Sequence, residues 1–187
     1  MRNAATPTLS PQKQSLSGKF LTFFLAGEEY GIEILKVQEI IGMMRITAVP
    51  RTPSFIRGVI NLRGKVIPIV DLRLKFGMAA AAQTEETCII VVRAQGIEMG
   101  LVVDKVSEVS DIAADDIDDV PSFGADVDTD YLLGIAKAEG RVKLLLDIEM
   151  VLSTSKVVDL HMAKAEPKSP TAEQHTPAPA GRGGNAA

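Results

Sequence analysis

The sequence predicts a mainly β protein made of two related subdomains, each a small barrel, packed together. Three observations carry that reading. Residues 20–72 recur, loosely, at residues 89–148. Short strand-sized apolar runs alternate with glycine-bearing turns. No long amphipathic helix separates the strands.

The repeat comes in two ungapped blocks. Phe20–Ile40 aligns with Ile89–Val109, so that Gly27, Glu29, Gly31, Lys36, Val37 and Glu39 recur as Gly96, Glu98, Gly100, Lys105, Val106 and Glu108. After a longer connector in the second copy, Ile56–Leu72 aligns with Leu132–Ile148, and Gly58, Gly64, Val66 and Asp71 recur as Gly134, Gly140, Val142 and Asp147. Two blocks in the same order with one apolar pattern indicate an internal duplication. A copy of roughly 55–60 residues is marginal as an independent core. The copies are therefore expected to bury surface against each other.

The strands read from the pattern are Phe20–Leu25, Tyr30–Ile34, Val59–Leu62, Val66–Val70, Cys88–Val92, Glu98–Val103 and Val142–Leu146. Gly27, Gly64, Gly96 and Gly140 mark hairpin turns. Runs such as FLTFFL, VIPIV and IIVV are apolar on both faces. Without helices to cover a parallel sheet, such strands fit barrels that fill their own interiors and pack by their outer faces. Pro68 lacks an N–H, which places its strand at an edge or at a bulge. Helical pieces are short: Pro53–Arg57, Leu72–Phe76 stopped by Gly77, Ala113–Ile117, Ile148–Leu152, and a C-terminal stretch Val157–Lys164. Leu35–Ile41 is open between a helical turn and a strand.

Residues 1–17 and the Pro/Ala/Gly-rich 164–187 lack bulky apolar periodicity and are expected to be disordered. The folded unit is expected to span 18–163, with copy one about 20–77, copy two about 87–152, and a short helix to about 163. Of the 187 residues 46% are apolar, as in an ordinary globular domain, and the net charge is −4. That balance gives no electrostatic case for nucleic acid or an anionic membrane surface. No apolar run is long enough to span a membrane, and the first residues have no secretion-signal core. A single cysteine, Cys88, excludes an intramolecular disulfide and suits a reducing, cytoplasmic interior.

Reactive constellations are not apparent. The two histidines, His161 and His175, lie beside and within the tail. There is no CxxC pair, HExxH, Walker loop or dinucleotide fingerprint. Cys88 opens an apolar strand and reads as a small buried hydrophobe. Asp126, Asp128 and Asp130 have the first spacings of a calcium loop, but Tyr131 stands where glycine is needed and Lys137 where a bidentate Glu is needed. Asp115, Asp116, Asp118 and Asp119 read as a solvated acidic segment. Asp71 and Asp147 occupy equivalent positions and are expected to cap the short helices after them. No catalytic residue, metal or cofactor is expected.

Differences between the copies point to a binding surface. Copy one has Asn61-Leu62-Arg63-Gly64 where copy two has Lys137-Ala138-Glu139-Gly140. A turn places Arg63 near the surface, where its planar fork can hold a carboxylate. Glu39 is the candidate partner within the copy. The plain alternative is an arginine supporting its own turn. Val37 is either core or interface. The connector Ile117–Phe123 carries Phe123 after Pro121, either a docking knob or a barrel plug.

The stretches EEYGIEILKVQEIIG (28–42), TPSFIRGVINLRGKVIPIVDLRLKFG (52–77) and GLVVDKVSEV (100–109) resemble the CheW family of bacterial chemotaxis coupling proteins. The resemblance implies two five-stranded, SH3-like β-barrels and no catalytic activity. It implies two partners: the cytoplasmic tip of methyl-accepting chemoreceptors, and the regulatory domain of the histidine kinase CheA, in membrane-associated arrays. Position by position, it places Val37, Glu39, Gly58 and Arg63 on, or supporting, the receptor surface, and Phe123 in a kinase-binding loop. Asp118 and Asp119 depart from the neutral or basic loop the family leads one to expect. The alternative within the same class is a paralogous adaptor serving another signalling system, such as surface motility.

Overall fold

The computed structural model describes residues 16–121, 129–138 and 140–153. Its strands are β1 (Gly18–Leu25), β2 (Glu28–Glu33), β3 (Val37–Gly42), β4 (Ile56–Leu62), β5 (Lys65–Asp71), β6 (Cys88–Ala94), β7 (Ile97–Val103), β8 (Lys105–Ile112), β9 (Ile117–Asp118), β10 (Leu132–Ala138) and β11 (Arg141–Leu146). Two short helices, α1 (Leu72–Lys75) and α2 (Ile148–Leu152), follow β5 and β11. The strands form two sheets, ordered β8-β1-β2-β11-β10-β9 and β3-β6-β7-β5-β4. The first is called barrel A below and the second barrel B.

The barrels do not coincide with the sequence copies. Barrel A takes its β1–β2 hairpin from copy one and β8 to β11 from copy two. Barrel B takes β3 to β5 from copy one and the β6–β7 hairpin from copy two. The exchange is symmetrical. β2 runs parallel to β11 with Gly31 opposite Leu145, and β7 runs parallel to β5 with Gly100 opposite Ile69. β1 meets β8 with Phe23 opposite Val106, and β6 meets β3 with Val92 opposite Val37. Every one of these partners maps onto its counterpart in the repeat. Sequence similarity locates the copies, but which copy completes which sheet is decided by these long-range pairings.

The exchange accounts for strands that are apolar on both faces. Along β6, Ile89 and Val91 point into barrel B with Ile60, Ile67 and Ile69. Ile90, Val92 and Ala94 point the other way, into the largest cluster, which also takes Leu21, Phe23 and Leu25 from β1. Phe20, one residue before, joins Ile117 and Leu145 inside barrel A. Each fully buried Leu, Ile or Phe contributes about 1.5–3 kcal/mol, so the shared cluster makes the barrels one thermodynamic unit. Stacked rings cross the seam from Phe23 to Tyr30, Phe76 and Tyr131, with centroids 6.0, 5.9 and 5.4 Å apart. Arg73 of α1 reaches Asp104, between β7 and β8, through Nε–Oδ1 at 2.6 Å and Nη2–Oδ2 at 2.5 Å. Asp104 Oδ2 also accepts the Ala26 N–H at 2.8 Å. Burial alone would raise the Asp104 carboxyl, but the Arg73 and Ala26 hydrogen bonds and the guanidinium charge hold it below its ordinary value.

The edges of barrel B are brought together behind β3. Thr47 forms a bridge to Val59 of β4, the two residues exchanging N–H to O bonds of 2.9 Å in each direction. Gly58 makes that approach possible. A Cβ on it would lie 2.1 Å from the Thr47 carbonyl oxygen, and its φ of +134° disfavours any L side chain. Val59 is paired with Pro68. Because Val59 gives its own polar groups to Thr47, that pairing asks no N–H of the proline. The strand carrying Pro68 therefore lies inside the sheet, not at its edge, and the register shift falls on the neighbouring strand between Ile56 and Gly58.

Other local expectations resolve in the same way. Asp71 accepts the Leu74 N–H at 3.2 Å, and Asp147 accepts those of Glu149 and Met150 at 2.9 and 3.1 Å, so both cap their helices. Leu35–Ile41 divides into a 3₁₀ turn at Ile34–Lys36 and the start of β3. Pro53–Arg57 is a turn entering β4 rather than a helix, since Asp71 N–H takes the Phe55 carbonyl as a long-range partner. Ala113–Ile117 narrows to a 3₁₀ turn at Ala114–Asp116. The C-terminal stretch Val157–Lys164 lies outside the described residues.

Three outcomes follow from this architecture. Gly58→Ala is expected to cost about 3 kcal/mol through backbone strain and overpacking at Thr47, seen as a lower urea midpoint. Asp147→Ala should cost about 1 kcal/mol by loss of the cap; an unchanged midpoint would refute the capping role. Asp104 has a depressed carboxyl in the folded state, so its contribution is complete above the unfolded value of about 3.9 and is lost as pH falls through the folded one. Asp104→Asn should therefore lower stability at neutral pH and flatten the acid limb of the stability curve.

Candidate functional site

The turn joining β4 and β5 is built by Arg63 at φ +52° and Gly64 at φ +87°. Ala26–Gly27 and Gln95–Gly96 repeat that geometry in the two first hairpins, at +53° and +87° and at +50° and +78°. Positive φ at both central residues matches the twist of a two-residue hairpin. Asn61 Oδ1 accepts the Gly64 N–H at 2.8 Å and fixes the turn. Arg63 is thereby held at the rim of barrel B.

Glu39 lies on β3, on the opposite edge strand of the same sheet. A register shift between Val37 and Glu39 lets both take partly buried positions. Arg63 Nη1 and Nη2 donate to Glu39 Oε1 and Oε2 at 2.9 and 2.7 Å. This fork-on-fork pair fixes the plane of the guanidinium. The Arg63 side chain is 75% exposed and that of Glu39 27%. Hydrogen bonding to Glu39, then its charge, raises the guanidinium above its already high value, so Arg63 stays charged.

Behind the pair is a groove of about 290 Å³ whose lining includes Glu39, Leu62, Arg63, Lys65, Ile67 and Glu98. Ile67 and Val91 give it an apolar floor, continuous with the barrel B core. Its far side is a second ion pair, with Lys65 Nζ 2.9 and 3.1 Å from the Glu98 oxygens and Arg93 3.6 Å away. The Lys65 hydrogen bond holds the Glu98 carboxyl below its ordinary value. The groove thus combines an apolar floor, charged walls and an exposed guanidinium.

The other expected residues fall around this surface in different roles. Val37 is half-buried against the core shared by the barrels, so its side chain supports the surface from beneath. Its neighbours are the exposed ones: Leu35 at 88% and Ile40 at 45%. Lys36 pairs with Glu149 of α2, next to the exposed Met150. Leu35 and Met150 were not legible as surface residues, because an apolar residue in a short turn or helix among other apolar residues reads as core. Gly58 lies under the same barrel wall at the Thr47 crossing. Glu39 and Arg63 are thus brought into contact, whereas Val37 packs against the shared core and Gly58 lies against the Thr47 backbone. Phe123 lies outside the described residues; of its flanking acids, Asp118 pairs with Lys137.

Cys88 is half-buried; burial pushes its thiol up, only partly offset by a backbone hydrogen bond from Val106, which disfavours the nucleophilic thiolate. Among the described residues no group of three or more His, Cys, Asp or Glu could hold a metal. No described helix is long and apolar enough to cross a membrane.

Comparison with known proteins agrees with this architecture. Residues 19–156 match the CheW-like domain family. The chain is 42% identical over 144 residues to the chemotaxis protein CheW of Klebsiella aerogenes, covering 77% of this chain and 87% of that one. It is 39% identical over 134 residues to the chemotaxis protein CheW of Helicobacter pylori, covering 72% and 81%. The crystal structure of the scaffolding protein TtCheW from Thermoanaerobacter tengcongensis superposes with a TM-score of 0.68 at 35% identity, covering 75% of this chain and 96% of that one. With two hairpin-exchanged barrels and a match spanning nearly all the described residues, this chain belongs to the CheW-like domain family.

Proposed function

We propose that this protein is a non-enzymatic chemotaxis adaptor that couples chemoreceptors to the histidine kinase CheA in signalling arrays. The observation that carries the reading is the Arg63–Glu39 fork, held exposed at the rim of the barrel B groove in a chain of this family. The receptor's cytoplasmic helical hairpin docks there. Its apolar residues meet the groove floor and Leu35, and its polar groups meet the unused donors of Arg63. Val37 and Gly58 hold the wall in place. CheA's regulatory domain is met elsewhere, through the loop that carries Phe123. The protein acts in the cytoplasm and is recruited to the membrane by the receptors it binds.

The two-barrel body transmits position and performs no chemistry. Coupling between receptor and kinase states on the scale of about 1–3 kcal/mol is sufficient for such an assembly. A rigid body serves this better than two jointed domains, and the shared core supplies the rigidity.

The test is a pull-down and titration with a soluble chemoreceptor cytoplasmic fragment and CheA from the same cell. Arg63→Glu turns the fork into a like-charge contact with Glu39. It is expected to weaken receptor binding at least tenfold, leave CheA binding unchanged and keep a cooperative melt. Wild-type receptor binding by the folded variant would reject the surface. Loss of cooperative folding would return Arg63 to a purely structural role at its turn.

A further inference from the structure

The groove at Arg63 has a counterpart position in barrel A, and that position is occupied from within. The repeat maps Glu39 onto Glu108, Glu98 onto Glu29, Ile67 onto Lys143 and Val91 onto Thr22. The sheet registers place Glu39 opposite Val91 in barrel B and Lys143 opposite Glu29 in barrel A, on the strands the repeat makes equivalent. Lys143 is only 2% exposed, yet it starts on β11 and ends at β8, strands separated by β1 and β2 in the sheet. Its side chain therefore crosses the barrel interior. Its ammonium reaches Ser110 Oγ at 3.0 Å, Glu29 Oε1 at 3.2 Å and Glu108 Oε1 at 3.3 Å. These three acceptors match its three donors. Thr22 Oγ1 donates to the Glu108 carbonyl at 3.1 Å beside it.

The same glutamate is thus satisfied in opposite ways. In barrel B, Glu39 is held from outside by an arginine that remains 75% exposed. In barrel A, Glu108 is held from inside by a buried lysine, and the position equivalent to Arg63 is Glu139. An apolar floor of Ile67 and Val91 becomes an ammonium and a hydroxyl already engaged with their own partners. The second oxygen of Glu29 is buried without a partner, so the interior lysine is kept despite incomplete satisfaction of the cluster.

We propose that Lys143 is a specificity-determining residue that silences the barrel A mouth, so that a nearly symmetric body offers the receptor one groove. The inference rests on the reading of the Arg63 groove as the receptor surface. A partner helix approaching barrel A finds no apolar floor and no free guanidinium, and covering the mouth would strip water from Glu108. The pseudo-twofold body acquires a direction: one end engages the receptor and the equivalent end does not.

Moving the barrel A interior into barrel B tests this. Ile67→Lys with Val91→Thr leaves Arg63 and Glu39 in place but supplies an ammonium from inside. Titrated with the receptor cytoplasmic fragment, this double variant is expected to melt cooperatively and bind at least tenfold more weakly than wild type. Wild-type affinity in the folded variant overturns the proposal. Should the double variant fail to fold, Lys143→Ile with Glu139→Arg is placed in the Arg63→Glu chain. Recovery of at least fivefold in affinity then supports the proposal, and no recovery in a folded protein overturns it. Arg63→Glu alone, run beside them, separates the two readings. If it binds as wild type, the receptor surface itself is misplaced and both fall. If it binds weakly while the Ile67→Lys/Val91→Thr chain binds normally, only the silencing role falls.

Discussion

Two parallel strand contacts, β2 with β11 and β5 with β7, organise the molecule. Each joins the second strand of one copy to the last strand of the other, and neither sheet is complete without it. Parallel pairing needs a crossover rather than a tight turn; here the rest of a copy provides it. Because the hairpins are exchanged, β1 and β6 are each covered on one face by a barrel interior and on the other by the core between barrels. That arrangement requires the doubly apolar strands the sequence contains, and apart from the Lys143 cluster inside barrel A it leaves most polar and charged groups at rims and edges.

The candidate surface follows from this constraint. A barrel rim is where a side chain can be exposed and still be held by a rigid turn. Arg63 occupies such a place, with its φ set by the hairpin and its guanidinium set by Glu39. The floor of the groove behind it is apolar because it is the end of a packed interior. In barrel A the same end is closed from inside. Duplication supplied two equivalent mouths, and a few side chains made them different.

Much of this was legible in the sequence, and the rest was hidden for physical reasons. The hairpin glycines, the Asp71 and Asp147 caps, and the asymmetry at Arg63 are local features that residue type announces. Hairpin exchange is not local: the repeat shows that two segments are alike, not which one pairs with which. β8 escaped notice because KVSEVSDI lies at a sheet edge with most of its residues in water and no apolar alternation. β10 escaped because its glycine and alanines serve close packing rather than strand propensity. Lys143 reads as a surface residue until its two glutamates and Ser110 are placed around it. Leu35 errs in the opposite sense, an apolar side chain facing solvent. Glu39 and Arg63 were nameable as partners, but only the fold brings an edge strand and a distant turn to 2.7 Å.

The exchanged hairpins also bear on concentration. A single repeat carries strands that need a hairpin it cannot itself provide, and it offers a hairpin it cannot itself use. Two such repeats on separate chains could complete each other only as fast and as fully as their encounter allowed. On one chain the missing hairpin is always present at the high effective concentration set by a short tether. Fusion of the repeats therefore makes completion of both sheets independent of how much protein the cell contains.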